Sequence, residues 1–351
     1  AQTKSERRSC IGQITEVVEQ AKSKFAGTLF NRRGSWYIKA DSRGVVAPVL
    51  VRDGQAKGAK EGSKVIFEFV LRPEDDCAGE GVIVEVLGKA GRPDVETQAV
   101  IAAHGLRTEF PQAAIEEARQ ATTAFEEFAK DGSTERAGRE DLRESLIFTI
   151  DPPDARDFDD AISIVHDEAQ GTWELGVHIA DVSEFVVPGS ALDQEAAQRG
   201  NSVYLPRHVI PMLPEILSNG ICSLQADTDR LTRSAFITFD EKGRVLKQRL
   251  CASIIRSQKR LTYLEAQSLI EGKVDEALTH TTANSEYSEE LVNALVNANQ
   301  LAKSIRKRRL HDGMIVLNLP EVELIFDDDG RVIGAQPEDG AFTHTIIEMF
   351  M

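Results

Sequence analysis

The stretch TIDPPDARDFDDA, from Thr149 to Ala161, concentrates acidic side chains between two strand-like runs. The run LIFTI (146–150) overlaps its start, and the run AISIV (161–165) begins at its last residue. Clustered carboxylates repel one another, so a chain that holds them together needs a compensating partner. The stretch contains no glycine and has a phenylalanine in its middle, which distinguishes it from an ordinary polar turn. Four of its aspartates fall within ten residues: Asp151, Asp157, Asp159 and Asp160.

The spacing of these aspartates suggests how their carboxylates could meet. Asp157 and Asp159 are two residues apart, so an extended backbone directs both side chains to one side. Asp160 would point away unless the chain bends, and the pair Pro152 and Pro153 predicts an irregular path. A bent loop would bring all four carboxylates around one point. Such a cluster raises carboxyl pKa values or binds a cation, and its hard oxygen ligands suit Mg²⁺, Mn²⁺ or Ca²⁺.

Two alternatives to a catalytic metal site can be compared with this stretch. An EF-hand loop is excluded, because it needs Gly at its sixth position and Glu at its twelfth, where this loop has Arg156 and Ile162. The run DDDG at 327–330 shows that clustered aspartates also suit an ordinary hairpin turn. The pattern alone therefore leaves two interpretations open: a site for metal-dependent phosphoryl-transfer chemistry, and an acidic surface loop.

From Glu144 onward the sequence mixes strand and helix patterns, which predicts a mixed α/β domain. Two long strand pairs are predicted, with hairpin turns at DEKG and DDDG. A long amphipathic helix is predicted from about Ser288 to Leu310, and its end is strongly basic. These cations either complement the helix dipole or contact phosphates. In this patch, the candidate phosphate contacts are Arg308 and Arg309.

Residues 11–87 show short strand-like runs separated by Gly, Asp and Lys, which predicts a small antiparallel barrel of the OB or cold-shock type. In the run SWYIK, alternation places Trp36 and Ile38 on one face and Tyr37 and Lys39 on the other. One face must fill the barrel, and the other would offer an aromatic ring and a cation to single-stranded nucleic acid. Trp36, Tyr37 and Lys39 are therefore candidate RNA contacts, and ordinary barrel packing is the alternative for each.

The predicted domain order is a tail (1–10), the barrel (11–93), a helical linker (94–143) and the mixed α/β domain (144–351). The linker is predicted because apolar residues such as Ala118 recur at helical spacing between FPQAA and KDGS.

Length, charge and cysteine content narrow the class of protein. A chain of 351 residues exceeds one typical core, so two or more domains are expected. The formal net charge of −16 opposes non-specific attraction to polyanions. Four scattered cysteines without a CxxC pair favour reduced thiols. The polar N-terminus is unlike a signal peptide, and no apolar run approaches the ~18 residues of a membrane span. We therefore expect a cytoplasmic protein without a membrane partner.

Three blocks of the sequence resemble the RNB exoribonucleases, the family of ribonuclease II and ribonuclease R. They are TIDPPDARDFDDA, GVHIADVSEFV (176–186) and RGNSVYLPRHVIPMLPEILSNGICSL (199–224). The runs EFPQAAIEEA and DLRESLIFTID are similar to the linker of the ribonuclease R type, and residues 11–88 resemble its cold-shock barrel. The resemblance covers nearly the whole chain. It implies an α+β multidomain fold with an OB or cold-shock barrel, a helical linker and the N-terminal part of a mixed α/β RNB catalytic domain.

The resemblance also implies an activity and a set of site residues. The family degrades single-stranded RNA processively and hydrolytically from the 3′ end, and it releases nucleoside 5′-monophosphates. It implies Mg²⁺ as the cofactor, with Mn²⁺ as an alternative. Asp151, Asp157, Asp159 and Asp160 match its metal-binding aspartates, Asp157 and Asp159 take catalytic roles, and Asp159 is the one most directly tied to catalysis. Tyr204 matches the tyrosine that stacks on the 3′-terminal base.

Further expectations concern residues around this site. Thr149 and Arg156 are expected to orient the loop, and Arg156 is also a candidate RNA contact. His178 and Asp181 are expected to pack or hydrogen-bond rather than to take part in catalysis. A monomer is expected, and complexes for RNA degradation or with ribosomes cannot be read from the sequence.

The chain departs from the family in extent and in two positions. It stops at Met351, inside the catalytic domain as the resemblance defines it, and it shows one cold-shock barrel where full-length relatives usually have two. Asn318 stands where relatives commonly have an acidic residue, and Glu184 where they often have His. Two rival functions are therefore kept: a non-catalytic RNA-binding module, and a metal-binding regulatory or scaffold protein whose acidic loop is structural.

Overall fold

The chain divides into two compact units, Ala1–Arg107 with Phe326–Arg331, and Thr108–Ile325 with Val332–Met351. No helix in the part of the chain that the structure describes combines the length and apolarity needed to cross a membrane. The domain bounds read from the sequence stay predictions. The computed structural model describes residues 15–16, 24–72, 79–130, 138–282, 286–317, 322–337 and 340–351.

Where the structure describes it, the part of the first unit up to Arg107 contains five strands and one α-helix. They are β1 (Lys24–Arg32), β2 (Ser35–Ala40), β3 (Val49–Val51), β4 (Ser63–Leu71), β5 (Glu80–Lys89) and α1 (Pro93–His104). The strands close into a barrel in the order β1-β2-β3-β5-β4, and this confirms the predicted barrel, except that β3 and β5 pair in parallel rather than antiparallel. The predicted strand IGQITEVV lies almost entirely outside the described residues.

Alternation along the strands fills this barrel. Leu29, Ile38 and Phe67 are completely buried in its core. Beside Ile38, Tyr37 is partly exposed and Lys39 is exposed, as the period of two in β2 predicts. The outer side of β2 is therefore available to solvent.

Helix α1 covers part of the barrel. It begins at Pro93, where the missing N–H costs no hydrogen bond, and Ala99 packs against Ala26 and Ile66 of the barrel wall. Gly105 ends the helix in the left-handed conformation, with φ 63°.

The rest of the chain forms a mixed α/β structure, and its elements follow here in chain order. They are α2 (Gln112–Lys130), β6 (Glu140–Asp141), β7 (Phe148–Asp151), β8 (Asp160–Asp167), β9 (Thr172–Ala180), α3 (Ala191–Arg199), β10 (Val203–Leu205), β11 (His208–Ile210), β12 (Asp229–Asp240), β13 (Val245–Arg256), β14 (Lys259–Thr262), α4 (Tyr263–Ile270), α5 (Val274–His280), α6 (Glu289–His311), β15 (Val322–Phe326), β16 (Val332–Pro337) and α7 (Phe342–Phe350).

Seven of these strands form one sheet, in the order β14-β7-β8-β9-β12-β13-β6. The pairs β14–β7 and β13–β6 are parallel, and the inner pairs are antiparallel. The two predicted hairpins are confirmed as β12–β13 and β15–β16. The strand-like runs that flank the aspartates are β7 and β8, which are neighbours in this sheet.

Neighbouring residues on the strands contribute to two separate cores. Phe148 and Ile162 belong to a cluster with residues of α4, α6 and α7. Ile147 and Ala161 belong to a second cluster, with residues of α2, α3 and a π-helical turn at Leu217–Ile221. Since side chains alternate along a strand, the two clusters lie on opposite faces of the sheet.

The long amphipathic helix predicted near the C-terminus is α6. Ser288 caps its N-terminus by accepting a hydrogen bond from the Leu291 N–H. Four apolar residues of this helix are buried, as its amphipathic pattern predicts: Leu291, Leu295, Leu301 and Ile305.

Candidate functional site: an aspartate-lined cleft

The four aspartates lie at the junction of two paired strands. Asp151 is the last residue of β7 and Asp160 is the first residue of β8. We call residues 151–160 the aspartate loop. The loop is bent, as its two prolines predicted, and the Ala155 N–H donates to the Pro152 carbonyl at 3.2 Å. The bend returns the chain to the same sheet after only eight intervening residues.

Phe158 anchors the middle of the loop. Its side chain is buried in the second core cluster, while Asp159 beside it is exposed and Asp157 is partly exposed. The Phe158 carbonyl accepts a hydrogen bond from the Leu224 N–H at 2.8 Å. Ser223 fixes the neighbouring backbone, because its hydroxyl donates to the Arg156 carbonyl at 2.8 Å and accepts from the Phe158 N–H at 3.2 Å.

Arg260 holds the first half of the loop. Its Nη2 donates to the carbonyls of Pro152, Pro153 and Ala155 at 3.1, 2.9 and 3.3 Å. Its guanidinium also lies 4.7 Å from the centroid of the Phe158 ring, a favourable cation–π distance. The loop is therefore fastened from two directions, by Arg260 on β14 and by the segment after the π-helical turn.

All four predicted metal ligands line a single cleft of about 870 Å³. The β10–β11 hairpin also contributes to this cleft through Tyr204, Arg207 and His208. The Tyr204 hydroxyl donates to Asp157 Oδ2 at 3.0 Å, and its side chain is two-thirds exposed. The structure thus brings together the aspartates and the tyrosine that the sequence singled out, although 43 residues lie between Asp160 and Tyr204 in the sequence.

The cleft raises the pKa values of three of its carboxyl groups. Desolvation, together with the negative charges of Asp160 and Asp157, raises the pKa of Asp151 to about 7. Asp159 has its pKa raised to about 6 by partial desolvation in the cleft and by the charges of Asp157 and Asp160. Desolvation also raises the pKa of Asp160. Burial is the largest cause of each shift, and the repulsion that the sequence predicted adds to it at Asp151 and Asp159.

The arrangement of these carboxylates corrects one expectation. In the described residues, no group of three or more His, Cys, Asp and Glu side chains is arranged to hold a metal ion. The aspartates therefore share a cleft without converging on one point. Asp157 accepts a hydrogen bond from the Tyr204 hydroxyl. The electrostatic coupling among them still places them in one group.

These residues fit a divalent cation that is shared with a substrate. Asp151 Oδ2 is buried and has no hydrogen-bond partner among the described residues, which is costly for a buried acceptor. Carboxylate oxygens are hard ligands, and Mg²⁺ commonly takes only one or two carboxylates together with substrate phosphate. An unfilled acceptor beside further carboxylates matches that mode of binding.

The remaining candidates lie in several places. Arg156 is exposed and lines the cleft. Tyr37 stacks on Phe30, with ring centroids 5.8 Å apart, and lies on the outer side of β2. Trp36 instead packs against the barrel core, so its packing counts against a surface contact with RNA. The sequence reading missed Phe30, whose register opposite Tyr37 becomes visible only once β1 and β2 are paired.

The basic end of α6 is separate from the residues that line the cleft. Arg308 and Arg309 are both partly buried, and Arg308 Nε is inaccessible to solvent. Arg309 contacts the Met349 sulfur at 3.8 Å. Neither arginine belongs to the cleft lining, so their role as phosphate contacts stays a prediction.

His178 and Asp181 have the buried, bonded environments that were expected of them. His178 is fully buried between the hydroxyls of Ser163 and Ser234, at 3.0 and 2.7 Å, and desolvation lowers its pKa to about 4. Asp181 forms an ion pair with Arg139 at 2.6 Å. The neutral imidazole and the paired carboxylate therefore serve packing and hydrogen bonding.

Sequence reasoning missed two residues that shape the loop, Arg260 and Ser223. They belong to no acidic or nucleophilic motif, and the side chain of each forms hydrogen bonds with backbone atoms of the loop. No local pattern marks such a contact. Their only signal was that a bent, repulsive loop with two prolines must be held by distant residues.

Comparison with known proteins identifies the two parts of the chain. The RNB domain model matches residues 139–351, and the Cold shock domain model matches residues 37–111. Ribonuclease R of Thermotoga maritima is 38% identical over 344 residues, which are 97% of this chain and 46% of that protein. The chain therefore spans less than half the length of this curated relative.

Solved structures agree with the sequence matches. Mycoplasma genitalium RNase R in complex with ribose-methylated single-stranded RNA has a TM-score of 0.81 and 26% identity, and the match covers 96% of this chain and 50% of that one. The same protein in complex with double-stranded RNA has a TM-score of 0.78 and 26% identity, over 97% and 57% of the two chains. Since the RNB domain accounts for more than half of its residues, the chain belongs to the family of RNB-domain proteins, with a cold shock domain before the RNB domain.

Proposed function

We propose that the protein is a metal-dependent exoribonuclease, which hydrolyses single-stranded RNA from the 3′ end and releases nucleoside 5′-monophosphates. The observation that carries this proposal is the shared cleft of Asp151, Asp157, Asp159, Asp160 and Tyr204 in a chain of the RNB family. The similarity to ribonuclease R supports the choice of RNA and of the 3′ end.

The aspartates would hold the divalent cations of this reaction. Bound cations supply an activated water and neutralise the charge that develops on the phosphate oxygens. Asp151 offers a buried acceptor oxygen that no other described group occupies. We take Mg²⁺ as the metal, with Mn²⁺ as the alternative, because the donors are hard carboxylate oxygens.

Asp159 is suited to handle a proton in the cleft. Its side chain is exposed there, and its pKa of about 6 leaves the carboxylate mostly ionised at pH 7.5. In the metal-free protein this pKa suits a base that accepts a proton from water. Together with the place of Asp159 in the family motif, this supports the direct catalytic role that we assign to Asp159, and we assign a second catalytic role to Asp157.

Tyr204 is suited to bind the terminal nucleotide. Its ring is exposed in the cleft, and its hydroxyl is oriented by Asp157. Stacking of a base on an aromatic ring stabilises binding without selecting a sequence. The protein should therefore accept RNA of any sequence and recognise the ribose through its 2′-OH.

A cleavage assay on labelled RNA tests the proposal. With 5′-labelled single-stranded RNA and Mg²⁺, we expect stepwise shortening to a small end product, which EDTA abolishes. Asp159→Asn should lower kcat by at least about 100-fold, the scale of lost acid–base catalysis, while RNA binding persists. Asp154→Asn is the matched control, because Asp154 lies in the same loop and cleft but is no predicted ligand.

Different outcomes would reject different parts of the proposal. Intact RNA after incubation with the wild-type protein would favour the non-catalytic RNA-binding module. Equal degradation of DNA would reject the RNA assignment, and normal cleavage by Asp159→Asn would reject the catalytic residue. A monomeric state and a cytoplasmic location belong to the same proposal, and gel filtration and cell fractionation test them.

A further inference from the structure

The aspartate loop has few restraints of its own against the repulsion of its carboxylates. Pro152 and Pro153 have no N–H with which to bond the chain. Both carbonyls precede the part of the loop that Ser223 fixes, which begins at Arg156. A loop of this kind would open under the mutual repulsion of Asp151 and its neighbours.

Arg260 supplies the missing restraint. One nitrogen, Nη2, donates to three successive parts of the loop backbone, the carbonyls of Pro152, Pro153 and Ala155. The same guanidinium lies over the ring of Phe158, so it links the first half of the loop to the buried anchor of the second half. Its positive charge also attracts the Asp151 carboxylate.

The position of Arg260 is set by rigid structure rather than by the loop. In the parallel ladder of β14 and β7, Arg260 pairs with Thr149 and Thr262 pairs with Asp151. The arginine therefore projects from the strand next to the one that ends in Asp151. A side chain held by a strand can position a loop more accurately than a side chain of the loop itself.

We propose that Arg260 is a positioning residue of the aspartate site, which fixes the loop backbone between Asp151 and Asp157 and thereby directs both carboxylates into the cleft that a divalent cation and an RNA phosphate would share. The proposal rests on the proposed function of this cleft. Lysine should replace Arg260 poorly, since an ammonium group lacks the planar guanidinium face that lies over the Phe158 ring.

The test compares Arg260→Lys and Arg260→Gln with a matched control. Arg249→Lys is that control, because the Arg249 guanidinium likewise lies over a phenylalanine, 3.8 Å from the Phe236 ring centroid, and bonds Glu140. Arg249 is on β13, near the other edge of the seven-stranded sheet. The readouts are Mn²⁺ binding to RNA-free protein by electron paramagnetic resonance, the Mg²⁺ concentration for half-maximal activity, kcat, KM and Tm.

Loss of a residue that orients metal ligands typically costs about 10–100-fold in metal affinity or activity. We therefore expect both Arg260 variants to weaken Mn²⁺ binding and lower kcat by about that factor, with KM for RNA nearly unchanged and a cooperative melting transition retained. Arg249→Lys should change neither Mn²⁺ binding nor kcat.

Three results would overturn the proposal. Wild-type Mn²⁺ affinity and kcat in Arg260→Gln would show that the loop does not need the hydrogen bonds of Arg260. Full recovery of both by Arg260→Lys would show that charge alone suffices. A large fall in Tm, together with a raised KM for RNA and weaker Mn²⁺ binding, would show that Arg260 acts only through general stability. If the wild-type protein binds Mn²⁺ but leaves RNA intact, the proposed function fails, while the Mn²⁺ titration still decides the role of Arg260.

Discussion

Asp151 shows at the scale of one residue how the cleft opposes stability. The carboxyl group is buried, and desolvation with the charges of Asp160 and Asp157 raises its pKa from 3.8 to about 7. Because the folded pKa lies above the unfolded one, the stability linked to the protonated form is fully present below pH 3.8. It is lost progressively as the pH rises toward 7.

We therefore expect Asp151→Asn to stabilise the metal-free protein at high pH. The amide cannot ionise, so the gain in free energy of unfolding should grow between pH 4 and pH 7 and then level off, at about 2–4 kcal/mol. Urea unfolding in EDTA at pH 5 and pH 8 measures it. Asp154→Asn, an exposed neighbour, should show no such dependence, and an equal gain at both pH values for Asp151→Asn would contradict the argument.

Arg207 is a second residue where stability and function oppose each other. It occupies the turn between β10 and β11 with φ 58°, a left-handed conformation that is unfavourable for arginine. Its side chain is exposed in the aspartate cleft. Strained residues that persist at a cleft often contribute to function, and here a cation at this position would contact RNA phosphates.

Arg207→Gly should therefore raise stability and weaken RNA binding. Relief of the left-handed conformation stabilises by about 0.5–1 kcal/mol, and loss of a phosphate contact should raise KM for RNA and reduce its salt dependence. Arg33→Gly is the control, because Arg33 has φ 54° in the turn between β1 and β2 and lies in the other compact unit. Thermal melts measure the expected gain in stability, and KM at two salt concentrations measures the expected loss of RNA binding. A wild-type KM in Arg207→Gly would exclude an RNA contact.

At the scale of elements, the β12–β13 hairpin lies against helix α6 without room for a side chain. Gly243 has φ 71°, and a Cβ there would lie 2.8 Å from the Ile305 N and 2.9 Å from its Cα. These atoms belong to the helix backbone, so they cannot rotate away. The turn DEKG therefore needs its glycine both for conformation and for packing.

Gly243→Ala should be much more destabilising than the same change at Gly272. Gly272 has φ 74° and nothing within 4 Å of a Cβ, so its substitution adds only the left-handed penalty of about 1–2 kcal/mol. At Gly243 overpacking adds about 1–3 kcal/mol. Chemical denaturation of both variants measures the difference, and equal losses would mean that the hairpin can move away from α6.

Local patterns account for the elements that could be predicted, and distant contacts account for those that could not. The strands of the barrel, both hairpins and α6 follow from alternation, turn residues and a 3.6-residue period, which neighbouring residues determine. The π-helical turn at Leu217–Ile221 had no such signal. Arg260 and Pro152 are 108 residues apart, so only the folded sheet reveals their contact. The aspartates could be predicted because four of them lie within ten residues of sequence. Their arrangement in the cleft could not be predicted, because it involves hydrogen bonds from the distant residues Tyr204 and Arg260.

At the scale of the whole molecule, the candidate RNA contacts are divided between two compact units. Tyr37 and Lys39 belong to the first, and Tyr204 and Arg207 belong to the second. The net charge of −16 opposes long-range attraction of RNA. The proposed binding of RNA would therefore depend on local cations and aromatic rings, and we expect the barrel to contribute affinity without changing the chemistry of the cleft.

Substitutions on the outer side of β2 should consequently separate binding from catalysis. Tyr37 is stacked on Phe30 at the barrel surface and Lys39 is exposed. Loss of one stacking platform weakens binding by about 1–3 kcal/mol per base, so Tyr37→Ala with Lys39→Ala should raise KM for long RNA by about 5–150-fold and leave kcat unchanged. A matched Lys89→Ala variant removes an exposed lysine from β5 instead and should have little effect. Steady-state assays on long and short substrates measure this, and a fall in kcat would show that the barrel acts on the cleft itself.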